Sequence, residues 1–164
     1  MGTVIEFPRR DSSREMFRDT PARTNRRRYF GAEEARCRLL SGTLPARSVI
    51  LGSLNFSGDD NPLFPPDTRI CGSLVLYHCY KVTKVGDGLE VEGNADYIGT
   101  LRRLPRRHKV RGILTIMGTD IKGVPRGLVA EGGVIIDEAA SPSLRDLATR
   151  MPCRWSSSTV EMDF

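Results

Sequence analysis

The sequence predicts a mainly β chain wound as a right-handed parallel solenoid of about five coils, with short helical caps and a disordered N-terminal tail. Three observations predict this. An aliphatic-x-Gly-x-apolar-x-apolar pattern recurs five times, as ILGSLNF, ICGSLVL, VEGNADY, VRGILTI and AEGGVII, starting at Ile50, Ile70, Val91, Val110 and Ala130. The intervals are 20, 21, 19 and 20 residues, and repeats of this length mean stacked units that bury a shared core. Turn residues and an apolar-Pro pair then follow most units, as at Phe64–Pro65, Leu104–Pro105 and Val124–Pro125.

The elements follow in chain order. Residues 1–28 hold eight Arg and four acids among few apolar anchors, the composition of a disordered segment. Residues 29–45 read as an N-terminal helical cap. Ala32 to Leu40 are good helix formers, Glu33 and Glu34 suit the positive helix start, and Gly42 suits the exit. Ala35, Leu39 and Leu40 fall near one face.

Residues 46–137 carry the repeats. Period-two alternation marks a short strand in each unit with one face inward. The inward set is Ile50, Leu54, Phe56; Ile70, Leu74, Leu76; Val91, Ala95, Tyr97; Val110, Leu114, Ile116; and Ala130, Val134, Ile136. The repeat glycine shares that row, where the coil is narrow or a backbone approaches closely. Leu89 and Leu128 re-enter the core two residues before the next strand, and His108 stands in their place in one unit. The second unit has an extra residue around His78–Lys81, with Gly86 where others have proline, and the third is one residue short. In residues 138–164, SPSLRDLATRM predicts a closing helix. Ser141 or Ser143 would cap it, Pro142 would stand in its first turn, and Leu144, Leu147 and Met151 would cover the last coil. Trp155 is expected to pack in that cap.

The net charge is +5. Part of it lies in the first 28 residues and part in RRLPRRHKVR, where Arg102, Arg103, Arg106, Arg107, Lys109 and Arg111 occur without an acid. Such a patch tracks phosphates or an acidic protein surface. The sequence has no apolar run long enough for a membrane span, and its first residues turn charged by position 9, so the expectation is a soluble, cytoplasmic protein. Cys37, Cys71, Cys79 and Cys153 form no C-x-x-C pair, which leaves reduced thiols as the expectation.

No constellation for catalysis, a metal or a cofactor emerges. His78 and Cys79 are adjacent but point apart on extended backbone. Asp59 and Asp60 beside Asn61 read as a solvated turn, and G-x-G in VGDGLEVEG lacks the rest of a phosphate loop.

The skeleton L-x-I-x-G-T-x-I-x-x-[LV]-P-x-x-L over residues 50–137 resembles leucine-rich repeats, most of all the short bacterial kind with an L-P step after each strand. Gly-Thr replaces the usual turn Asn. The resemblance implies a bacterial-type protein-interaction module without enzyme activity, and among such modules are effectors translocated into another cell. The contact face expected for a partner protein is the set of outward strand positions Val75, Tyr77, Asp96, Ile98, Arg111, Ile113, Thr115, Met117 and Ile135. Several are apolar, which points to a partner or to self-association. The alternative is nucleic-acid binding through the Arg-rich tail and the Arg102–Arg111 cluster.

Overall fold

A computed structural model describes residues 26–82, 84–99, 101–137 and 140–151. The described residues start with β1 (Arg28–Gly31) and α1 (Ala32–Leu40). Ten strands follow: β2 (Ser48–Leu51), β3 (Leu54–Ser57), β4 (Arg69–Ile70), β5 (Leu74–Tyr77), β6 (Glu90–Val91), β7 (Ala95–Ile98), β8 (Lys109–Val110), β9 (Leu114–Met117), β10 (Val129–Ala130) and β11 (Val134–Ile136). Helix α2 (Pro142–Arg150) ends the described chain. The strands form two parallel sheets, one ordered β1-β2-β4-β6-β8-β10 and the other β3-β5-β7-β9-β11. The result is a parallel β-solenoid of about five coils. Each coil gives one strand to each sheet and returns through an arc.

The repeated pattern is therefore not one strand per unit, as the alternation implies. It is two strands meeting at a corner. The break falls at the glycine, because adjacent coils stack there too closely for a side chain. A Cβ on Gly72 would lie 2.5 Å from the carbonyl carbon of Gly52, and one on Gly132 would lie 2.6 Å from that of Gly112. The expected close backbone approach is thus the preceding coil's own glycine. Backbone bonds join these corners: the N–H of Gly93 donates to Gly72 at 2.9 Å, and that of Gly112 donates to Gly93 at 3.0 Å. Beside them the hydroxyls of Ser53 and Ser73 and the Asn94 amide oxygen accept from the backbone N–H of Ser73, Asn94 and Ile113 at 3.0, 3.1 and 3.0 Å. Corner donors that lack a strand partner are thus satisfied by the coil before.

Register stacks like positions. Leu54 lies beside Leu74, Leu74 beside Ala95, Ala95 beside Leu114 and Leu114 beside Val134. All the expected inward residues are buried except Ile136, which is half-buried against the core. No single coil encloses a core, so the column from Phe30 to Leu144 is shared by the whole stack.

One polar pair lies inside this column. Tyr97 and His108 are fully buried, and the Tyr97 hydroxyl is 2.9 Å from Nε2 of His108. Nδ1 of His108 lies 2.9 Å from the Leu89 carbonyl oxygen. A carbonyl only accepts, so Nδ1 carries the proton and Nε2 accepts from Tyr97. Burial lowers the His108 pKa to about 4 and raises that of Tyr97. The pair is neutral and saturated, which is how a histidine occupies a leucine row.

The caps depart from expectation in four places. Residues 26–28 belong to the described chain, and Arg28 begins a strand; the rest of the expected disordered tail lies outside the described residues. Phe30 pairs with Ile50, one repeat length earlier than the first recognised unit. Leu40 is exposed, while Ala35 and Leu39 are buried. Ser141 occupies the N-cap of α2 without a side-chain cap bond, and its hydroxyl has no partner among the described residues. Leu144 is buried, and Leu147 and Met151 pack on the core as expected. Cys153 and Trp155 lie outside the described residues.

Candidate interaction surfaces

The outer face of the five-stranded sheet consists of two rows set by register. One row runs Asn55, Val75, Asp96, Thr115, Ile135, and the other runs Ser57, Tyr77, Ile98, Met117. Tyr77 is 49% and Met117 41% exposed, and Ile98 lies half-buried between them. Ile135 is also exposed, and Val75 and Thr115 are half-buried. Of the described residues in these five strands, Asp96 alone is charged. The period-two alternation places alternate side chains in the core, and every second one joins a flat surface rich in apolar groups.

Not all expected contact residues share this surface. Val75, Tyr77, Asp96, Ile98, Thr115, Met117 and Ile135 do. Ile113 lies at the corner between β8 and β9. Arg111 follows β8 and shares a charged surface with Arg69, Glu90, Glu92, Lys109 and Glu131 on the other sheet. The strip expected as one face is split because the chain turns at Gly112.

The middle of the outer face of the six-stranded sheet carries opposite charges, with Arg69, Glu90 and Lys109 in register between the exposed Tyr29 and Val129 at its ends. Arg69 donates to Glu92 from both Nε and a terminal guanidinium nitrogen. Nζ of Lys109 is 3.6 Å from Glu90. The Arg69 guanidinium, through its hydrogen bond and charge, holds the Glu92 carboxyl below the usual carboxylate range. Arg111 acts on it in the same direction.

The basic cluster divides along the same lines. Lys109 and Arg111 face these glutamates. Arg106 and Arg107 sit at the corner leading into β8. The Arg106 backbone N–H donates to Asp87 at 2.9 Å, and the Arg107 guanidinium pairs with Asp67 at 3.3 Å. Arg102 and Arg103 project from the arc. Arg103 bridges Lys84 of the preceding coil, which brings two more cations, Lys84 and Lys81, to this side. Among the described residues, no carboxylate pairs with Lys84, Arg102 or Arg103.

Of the reactive residue types, Cys37 is exposed and Cys71 half-buried, and Nδ1 of His78 is buried with no hydrogen-bond partner among the described residues. His78 has φ 51° in a row where the equivalent residues are Gly58, Gly99 and Gly118. Its ring packs against Tyr77 and Tyr80, with centroids at 4.3 and 5.6 Å, and lies over Gly99. Cys79 is buried, and burial pushes its thiol pKa up, away from a reactive thiolate. Asp60 pairs with Arg36 at 3.0 Å and Asp59 with Lys81 at 3.3 Å. No disulfide joins Cys37, Cys71 or Cys79.

Sequence reading missed Leu63, Lys81 and Lys84, which meet on the arc side around a groove. The irregular second unit was the only sequence signal for Lys81 and Lys84, and Leu63, in the first unit, had none. Among the described residues, no helix is long and apolar enough to cross a membrane. Compared with known proteins, the chain matches no protein family, no curated protein and no solved structure.

Proposed function

We propose that this protein is a non-catalytic interaction module of the short bacterial leucine-rich-repeat type. It binds a partner protein through the outer face of the five-stranded sheet, assisted by the basic arc. The observation that carries this reading is the in-register row Tyr77, Ile98, Met117, flanked by Val75 and Ile135 and interrupted by one carboxylate. Flat, partly exposed apolar surface of this kind gains free energy when covered. The resemblance further supports a translocated effector, with the Arg-rich segment 1–28 as its signal or docking arm.

Nucleic-acid binding draws less support. Glutamates face Lys109 and Arg111. Tyr97, the aromatic nearest in sequence to the cluster, is buried and cannot stack on a base.

The test is affinity capture with the full chain and with Tyr77→Ser/Met117→Ser, alongside light scattering of the pure protein. The expected result is a monomer whose captured partner is lost in the double variant. A dimer that the same variant splits would replace the foreign partner with a second copy. Retention of every partner by the variant would remove the sheet face from the proposal.

A further inference from the structure

A groove of about 610 Å³ opens on the arc side of the first three coils. Its floor is lined by the edges of Leu44, Phe64, Val82 and Val85, buried side chains of the apolar column. Leu63 forms one wall and is 57% exposed, an unusual position for a leucine beside a buried proline. The charged residues at the groove are Lys81, Lys84 and Arg103 against Asp87.

The groove lies where the repeat is irregular. The second coil carries the extra residue, and its arc passes the first coil at Gly86. A Cβ there would lie 2.6 Å from the carbonyl oxygens of Phe64 and Pro65. Proline holds this position in the neighbouring coils, as Pro65 and Pro105. The groove thus coincides with the departure of the second coil from the regular repeat.

Charge decides what fits. Lys84 and Arg103 are joined by a parallel backbone bridge, which fixes their spacing. Neither pairs with a carboxylate among the described residues. The Lys81–Asp59 pair is exposed and worth little. Asp87 is already engaged by the Arg106 backbone N–H. A ligand entering here meets a surplus of positive charge above an aliphatic floor. A nucleic acid would satisfy the cations but leave the floor uncovered, and Phe64 is buried edge-on against Phe56 rather than offered for stacking.

We infer that the groove bounded by Leu63, Phe64, Val85, Lys84 and Arg103 binds an acidic peptide segment of a partner protein, seating an apolar side chain on the floor and carboxylates on the two cations. This rests on the reading of the chain as a protein-interaction module and adds a second contact, on a different side from the sheet face.

The test is selection of a random twelve-residue peptide library on the full chain, repeated on Lys84→Glu/Arg103→Glu. Both side chains are exposed, so the variant is expected to keep its melting temperature. Wild-type protein should enrich peptides that combine surplus Asp and Glu with large apolar residues. Synthetic versions of these should bind the charge-reversed variant about tenfold more weakly or worse. Leu63→Ser should weaken them by about tenfold as well, and Tyr77→Ser/Met117→Ser should leave their affinity within about twofold. Failure to enrich acidic peptides, or equal binding to the charge-reversed variant, overturns the inference. So does a single-stranded oligonucleotide that binds more tightly than the peptides and is lost in that variant, or a homodimer that the variant splits. If the groove fails while partner capture still depends on Tyr77 and Met117, the sheet-face reading stands without it.

Discussion

The two sheets share one core and one repeat, yet their outer faces are opposites. The six-stranded sheet shows alternating cations and carboxylates, with Arg69 on Glu92 and Lys109 on Glu90. The five-stranded sheet shows tyrosine, isoleucine and methionine in one row, with Asp96 as its one charged strand residue among those described. Both sheets are parallel stacks of the same coils, although the strands β4, β6, β8 and β10 are two residues long and β3, β5, β7 and β9 are four. The chemical difference lies in the outward side chains. In the middle of the charged face Arg69 meets Glu92 and Lys109 meets Glu90, while Tyr29 and Val129 stay exposed at its two ends. The apolar face gains by being covered.

The first way to break the comparison is to destroy what both faces rest on. Leu114→Asp places a carboxylate in the shared column between Ala95 and Val134. A cost of about 5 kcal/mol is expected, comparable to the stability of a small domain. Circular dichroism and urea titration should show loss of cooperative folding, with both sheets lost together. Survival of either sheet alone would mean that the column is not shared.

Acid should act through the bond that ties the sheets. Tyr97 belongs to the five-stranded sheet, and His108 directly precedes β8 of the other. His108 titrates near 4 in the folded chain and near its ordinary 6.5 when unfolded. Between those values the unfolded chain binds more protons, so stability is full above about pH 6.5 and falls as pH drops toward 4. The loss from this group approaches roughly 3 kcal/mol. Urea midpoints measured across that range check it. Tyr97→Phe/His108→Leu restores the leucine of neighbouring coils and should flatten the dependence between pH 6.5 and 5.

The glycine corner separates the faces and should be sensitive in its own right. Gly72→Ala is expected to cost about 3 kcal/mol, because the new methyl meets Gly52 backbone that cannot move without parting two coils. Gly123→Ala has open space around it and should stay within about 0.5 kcal/mol. Thermal melts of the pair measure the difference.

The smallest effect on stability is expected on the outer faces, and there the two should part company. Glu92→Gln should destabilise the fold slightly, in a way that high salt erases. Tyr77→Ser should leave the melt nearly unchanged at any salt and act only on partner binding. A salt-sensitive Tyr77 variant would blur the contrast between the faces.

Much of this was legible in the sequence, for a physical reason. Stacking demands the same kind of residue at the same point of every coil, so Leu54, Leu74, Leu114 and Val134 had to recur near 20-residue intervals. Helix α1 was readable from its acidic first turn and its Gly42 exit. Strand β1 was not noticed, although Phe30 lies one repeat before Ile50. Its unit lacks the glycine pattern because no coil described here lies beneath it.

What the sequence by itself determined was the column from Ile50 to Ile136: which of its residues face inward and where each of the five recognised units begins. Those follow from periodicity, since burial is a local property of each position once coils stack. Only the tertiary structure decided where the chain turns, because a corner and a continuous strand both keep the alternation. That turn sent Arg111 to the charged sheet and Thr115 to the apolar one. It also decided that Lys84 of one coil meets Arg103 of the next, and that Tyr97 meets His108. Pairings across the arcs depend on the exact length of each arc, which the periodicity of the strands does not report.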